Sequence, residues 1–291
     1  MHMFESMEAL CQEAQEKNIP FWELVMIKDC DEQLISKEQS FETMKKMYDA
    51  MKASDKDYDK TLVSKSGLIG GEGEKMRKRK LSPDSLVGDV IAGAMEKALR
   101  VSESNACMKR IVAAPTAGSC GVIPAVFLTV QEERQIEEDK MIEALYVASG
   151  VGGVIASRAS LSGAEGGCQA EIGSASAMAA AGLAHILGGG LNEISNAAAI
   201  ALKGLLGLAC DPVAGLVEVP CVKRNVIGAV NAITSAEMAM AGIESKIPAD
   251  EVFDAMKSIG RSMSETVKET AKGGLAITPT GIKIKENISS L

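Results

Sequence analysis

The stretch Gln169-Ala-Glu-Ile-Gly-Ser-Ala-Ser-Ala-Met-Ala-Ala-Ala-Gly-Leu-Ala-His-Ile-Leu187 decides how the rest of the chain is read. Wound as a helix, it sets Ser174, Met178, Ala181 and His185 along one face and Leu183, Ile186 and Leu187 along another. Small or apolar residues then point in every direction, and a helix of that kind is buried on all sides. From Ile172 to Asn192 no residue carries a formal charge, and 13 of the 21 are Ala, Gly or Ser. The run is long enough to cross a bilayer, but the small residues and the interior His185 favour the middle of a packed protein, and no membrane span is expected.

Working outward, the helical pattern continues on both sides. Asp139–Ala156, Ile194–Leu208, Val226–Ala241 and Ala249–Ile259 read as helices, as does the apolar Val122–Gln131. Met3–Lys17, Phe41–Lys52 and Ser85–Glu103 are amphipathic, the last with Leu86, Val90, Ala94 and Leu99 near one face and Ser82-Pro83-Asp84 as its expected N-cap. The basic run Lys75–Lys80 reads as a solvated linker. Gly215–Val219 is a short strand candidate, and there is no βαβ rhythm and no fixed-period repeat. The fold class is therefore all-α, one large helical domain over residues 1–291 with a small-residue buried core. Charge divides it: residues 1–110 carry 38 charged side chains and residues 141–243 only 11. Residues 1–80 thus read as charged peripheral helices and a loop, and residues 81–291 as the interior.

Composition narrows the function. A chain of 291 residues with 46% hydrophobic content can bury a large core. A net charge of -8 and 3% aromatic residues argue against a nucleic-acid partner. The start Met1–Leu10 has neither a basic nor an apolar segment of the secretory kind, which predicts a cytoplasmic chain. In that reducing setting the seven cysteines are free thiols or metal ligands.

Several familiar motifs fail. The glycine loop at 67–73 lacks the Gly-Lys-Ser/Thr of a P-loop, since Glu74 precedes Lys75 and Met76 follows it. Gly118-Ser-Cys-Gly121 is not a nucleophile elbow. Apart from His2 the only histidine is His185, mid-helix in an apolar run, where a satisfied core histidine is the better reading. No HExxH or CxxC zinc spacing occurs.

Three cysteines stand at expected breaks between helices. Cys168 follows Gly166-Gly167 at an expected helix start, where the dipole favours thiolate; Cys210 precedes Asp211-Pro212; Cys221 follows Pro220. Three such thiols could converge on a soft metal centre. On spacing alone they read better as small buried hydrophobes. If they held a cubane, one iron would lack a protein thiolate and could act as a Lewis acid toward a hydroxyl or carboxylate oxygen. The chemistry natural to it is elimination of hydroxide from a hydroxy acid. Cys11, Cys30 and Cys107 lie in charged helical segments.

Thr116-Ala-Gly-Ser-Cys-Gly-Val122, Gly163-Ala-Glu-Gly-Gly-Cys-Gln-Ala-Glu-Ile-Gly-Ser174 and Cys210-Asp-Pro-Val-Ala-Gly-Leu-Val-Glu-Val-Pro-Cys-Val-Lys-Arg-Asn225 together closely resemble the iron–sulfur-dependent L-serine dehydratases. The likeness runs from about Ser64 to Leu275 and is most specific in the last block. It implies a helical catalytic domain and β-elimination of L-serine to pyruvate and ammonia on a [4Fe-4S] cluster held by Cys168, Cys210 and Cys221. It also implies that this is an α subunit, with a separate β subunit as partner; a homo-oligomer of α is a further expectation. In that light Lys65-Ser66-Gly67-Leu68 and Pro115-Thr116-Ala117-Gly118-Ser119 become candidate substrate loops, whose glycines let backbone amides face a carboxylate. Lys223 and Arg224 could balance cluster or carboxylate charge.

Two departures from the resemblance follow. The Ser-Ser-Ser-His-Thr segment of single-chain members is missing here, so weak or no catalysis by this chain alone is expected. The tail Asn287–Leu291 has no cysteine to cap the fourth iron, which implies water on that iron. No residue is assigned as the base for the α proton. The competing readings are a zinc-thiolate structural protein and a non-catalytic scaffold subunit.

Overall fold

The uncharged run becomes the central helix of the molecule. The computed structural model describes residues 4–289; Met1–Met3, Ser290 and Leu291, and with them the start of the expected Met3–Lys17 helix and the end of the tail, lie outside the described residues. Thirteen α-helices follow one another among the described residues: α1 Met7–Lys17, α2 Phe21–Gln33, α3 Lys37–Lys56, α4 Glu72–Lys80, α5 Asp89–Ala106, α6 Val122–Arg134, α7 Glu138–Arg158, α8 Gly163–Gly166, α9 Ser174–Ile186, α10 Leu191–Lys203, α11 Cys221–Met240, α12 Ala249–Ser262 and α13 Pro279–Ser289. The all-α expectation holds.

Every residue of α9 is buried, and the helix packs against α6, α7, α10 and α11. Its small side chains permit that close ring. A Cβ placed on Gly182 would stand 2.4 Å from Phe127 Cζ of α6 and 2.9 Å from the Ala144 carbonyl oxygen of α7. His185 is a satisfied core histidine, with Nε2 2.9 Å from Glu143 Oε2 on α7. Burial pulls its pKa below the ordinary histidine value.

Of the outer helices, α3, α5 and α12 are amphipathic. α2 and α3 lie on α7, and α12 lies on α10 through its buried Val252, Phe253 and Met256. α5 joins α6 and α11, and α4 covers α5. A fully buried phenylalanine such as Phe253 contributes roughly 1.5–3 kcal/mol over its exposed state, and this anchors α12 although one face meets water.

Three local expectations are corrected. Lys75–Lys80 is the body of α4 and not a linker: Glu72 and Glu74 occupy its first turn and the bases its last, which suits the helix dipole. The Glu103 carboxylate also accepts the Glu72 and Gly73 amides, capping the start of that helix. Ser82 does not cap α5; the chain turns irregularly from Leu81 and the helix begins after Gly88. Gly215–Val219 is no strand, because Val213–Gly215 forms a 3-10 turn, and the only β feature among the described residues is an isolated bridge between Cys210 and Lys268. α2 and α13 were not anticipated, α2 because its apolar residues show almost no 3.6-residue periodicity. No described helix is long and apolar enough to cross a membrane.

Candidate active site

Cys168 and Cys221 stand at helix starts, and Cys210 lies in the loop between α10 and α11. Cys168 precedes a π-helical turn, Gln169–Gly173, that leads into α9; turns of this kind recur at functional positions. Cys210 lies beyond the end of α10, its amide bonded to the Val267 carbonyl and its carbonyl to the Glu269 amide, at 2.8 Å each. Cys221 is the first residue of α11, so α11 begins earlier than the expected Val226. All three are buried. Each thiol lies within electrostatic reach of the other two. Burial is the main cause that pushes Cys168 up to about 11 and Cys221 up to about 12, and it raises Cys210 further. At Cys168 burial thus opposes the thiolate that a helix start favours. Among the described residues, no three or more His, Cys, Asp or Glu side chains close on a single metal-ion position.

Arg224, one turn into α11, fastens this region. Its guanidinium donates to the Ala209 carbonyl at 2.7 Å and to Asp211 Oδ1 at 2.8 Å, and its charge favours the Cys168 thiolate. The other Asp211 oxygen accepts the Leu275 amide at 2.8 Å. Lys223 takes no part in this fastening, because its ammonium pairs with Glu72 at the surface.

Each of the two expected substrate loops is tied to the chain near the start of α11. Ser64–Ile69 closes by a 2.8 Å bond from the Ser64 amide to the Ile69 carbonyl, and the turn requires φ +77° at Gly67, which glycine adopts without strain. Ser64 and Ser66 hydroxyls both donate to the buried Glu218 carboxylate, three residues before Cys221. Lys65 itself is exposed. In the second loop Ala117–Ser119 forms a 3-10 turn. Thr116 Oγ1 donates to Glu171 Oε1 at 2.8 Å. Buried Asn225 donates to the Gly118 carbonyl at 2.8 Å and the Cys221 carbonyl at 3.0 Å, and accepts the Gly121 amide at 2.8 Å.

Sequence reasoning misses Glu171, although it stands in the quoted block three residues after Cys168. Its Oε2 lies 4.0 Å from Cys210 Sγ. Gly118 and Gly163 press backbone against its carboxylate, so that an added Cβ would come within 3.1 Å and 2.8 Å of its oxygens. Burial raises its pKa against the pull of the Thr116 hydroxyl. Glu218 and Asn225 are missed as well. One signal could have found the two carboxylates: in a half of the chain with so few charges, each one kept is conspicuous, and Glu171, Asp211, Glu218, Lys223 and Arg224 all fall in or beside the cysteine blocks.

The family described as Serine dehydratase alpha chain matches residues 16–276. A probable L-serine dehydratase alpha chain of Bacillus subtilis is 44% identical over 286 residues, covering 98% of this chain and 95% of that protein. An L-serine dehydratase alpha chain of Peptoniphilus asaccharolyticus is 42% identical and covers 94% of each chain. An L-serine dehydratase of Escherichia coli is 44% identical over 69% of this chain, a match that takes up 46% of its own length.

Proposed function

Because the chain belongs to the serine dehydratase alpha chain family, we propose that it is the α subunit of a cytoplasmic L-serine ammonia-lyase that converts L-serine to pyruvate and ammonia together with a separate β subunit. Cys168, Cys210 and Cys221 hold a [4Fe-4S] cluster, and the loops Lys65-Ser66-Gly67 and Thr116-Ala117-Gly118-Ser119 receive the substrate. The observation that carries this reading is the family match over most of the chain; in support of it, Glu218 ties the first loop to the segment before Cys221, Glu171 ties the second loop to the neighbourhood of Cys210, and Asn225 ties the second loop to the start of α11.

The donor set fits such a cluster, since iron–sulfur groups are held by thiolates and Arg224 stands ready to offset their charge. Gly163, whose Cβ would lie 3.2 Å from Cys210 Sγ, keeps the surrounding wall free of side chains. The bound cluster supplies a Lewis-acidic iron for an oxygen of the substrate. The protein's own part is to orient: Glu218 fixes the first loop, and Asn225 and Glu171 fix the second.

Anaerobic purification with iron and sulfide analysis, followed by a pyruvate assay after mixing with the β chain, tests this proposal. Brown, oxygen-sensitive protein is expected, with activity lost on changing Cys168, Cys210 or Cys221 singly to Ser and kept in Cys11→Ser and Cys30→Ser. Colourless protein with stoichiometric zinc after anaerobic reconstitution would refute the cluster. Brown protein inactive with the β chain would refute the lyase.

A further inference from the structure

We infer that Glu171 is the residue that receives the α-ammonium group of the amino-acid substrate. This rests on the serine-lyase reading above and adds to it the group that tells an amino acid from the corresponding hydroxy acid.

The argument begins with an unpaired charge. Oε1 of Glu171 accepts from the Thr116 hydroxyl at 2.8 Å, whereas Oε2 has no nearer partner than Cys210 Sγ at 4.0 Å. Glu171 makes no ion pair with any described residue, and the charge that acts on it is a second carboxylate, Glu269. The cations of the cysteine segments and of the 268 turn pair elsewhere: Arg224 with Asp211, Lys223 with Glu72, Lys268 with Glu265. A half-buried carboxylate without a counter-charge is unfavourable, so the site is poised for a small cation. Gly118 and Gly163 wedge the carboxylate between two backbone walls and fix its direction.

The substrate brings a matching group. L-Serine carries its ammonium on the carbon next to its carboxylate. With the carboxylate against the Thr116–Ser119 loop, the ammonium falls beside the residue that Thr116 already holds. Arg224 and the loop amides are donors and repel that group, which leaves Glu171 as its acceptor.

The test uses the assembled, iron-reconstituted enzyme and the variants Glu171→Gln and Glu171→Asp. The probes are L-serine and 3-hydroxypropionate, which keeps the hydroxyl and carboxylate of serine and lacks only the ammonium. A charge-assisted hydrogen bond lost in Glu171→Gln is expected to raise KM for L-serine about 10- to 100-fold. The inhibition constant of 3-hydroxypropionate should stay within about twofold of the wild-type value in both variants, because that ligand never used the carboxylate. Glu171→Asp should recover part of the serine affinity. Iron content and the visible spectrum should match the wild type. An unchanged KM with a fall in kcat alone would overturn the inference, as would loss of iron from Glu171→Gln, which would make the residue a support of the cluster. Failure of the wild-type enzyme to form pyruvate from serine would instead refute the lyase reading itself.

Discussion

Removing one amide side chain should unfasten the second loop from the cysteine helix. In Asn225→Ala three hydrogen bonds disappear: to the Gly118 and Cys221 carbonyls, and from the Gly121 amide. The Cys221 carbonyl suffers least, because within α11 it also receives the amide four residues on. The Gly121 amide and the Gly118 carbonyl sit in buried residues and are left without this partner. An unsatisfied buried polar group costs about 1–3 kcal/mol, so the two together should take about 2–6 kcal/mol from the unfolding free energy, with the vacated side-chain volume adding to it. That is a large share of the roughly 5–15 kcal/mol that holds a domain together. Urea denaturation followed by circular dichroism reads the change directly. Gln12→Ala is the control: Gln12 is exposed and bonds only to Glu16, so its loss should stay within about 0.5 kcal/mol. A loss below about 1 kcal/mol in Asn225→Ala would show that water or a backbone shift replaces these bonds, and the reading of Asn225 as the fastener would fall.

Gly182→Ala should overpack the centre, since its Cβ would stand 2.4 Å from Phe127 and meet the fixed Ala144 carbonyl; a loss of about 1–3 kcal/mol by the same denaturation is expected. Burial holds the folded-state pKa of His185 below the unfolded value of about 6.5, so its contribution to stability is present above that pH and is lost as pH falls through the folded value; His185→Leu should flatten the difference between unfolding curves at about pH 7.5 and 5.5. Arg224→Met strips the buried Asp211 of its partner and should cost about 3–5 kcal/mol, with the Cys168 thiol becoming less reactive toward a disulfide reagent in the metal-free chain, because the lost guanidinium favours its thiolate. Glu218→Gln should loosen the first loop without unfolding the core, seen as about tenfold faster amide exchange in the peptide 64–69 with the denaturation midpoint nearly unchanged.

The core was legible because its signal is collective. No single residue makes α9 central; the absence of charge from Ile172 to Asn192 does, and no alternative packing could hide so much uncharged surface. The Lys75–Lys80 helix was illegible for the opposite reason: its fold depends on Glu103, a carboxylate 30 residues away that caps it, and local sequence shows only a run of bases. The site divides the same way. Its thiols and glycines announce themselves by type. Glu171, Glu218 and Asn225 act through partners 55, 154 and 107 residues distant, so their roles exist only once the chain is folded.

This division has a physical consequence for how the site is held. The helices that follow Cys168 and begin at Cys221 are located by apolar and small-residue packing around and within α9, which is non-directional and spread over many contacts. The loops between them are located by a few polar side chains, each with two or three directional bonds. Packing tolerates a changed methyl group by sharing the strain; a polar fastener has no substitute when its donor or acceptor is removed. Changes at α9 should therefore register as stability with the site's geometry kept, and changes at Glu218 or Glu171 as altered loop order or substrate affinity in a chain that still folds. The charged residues kept in an otherwise uncharged half of the sequence are the ones whose work the apolar core cannot do.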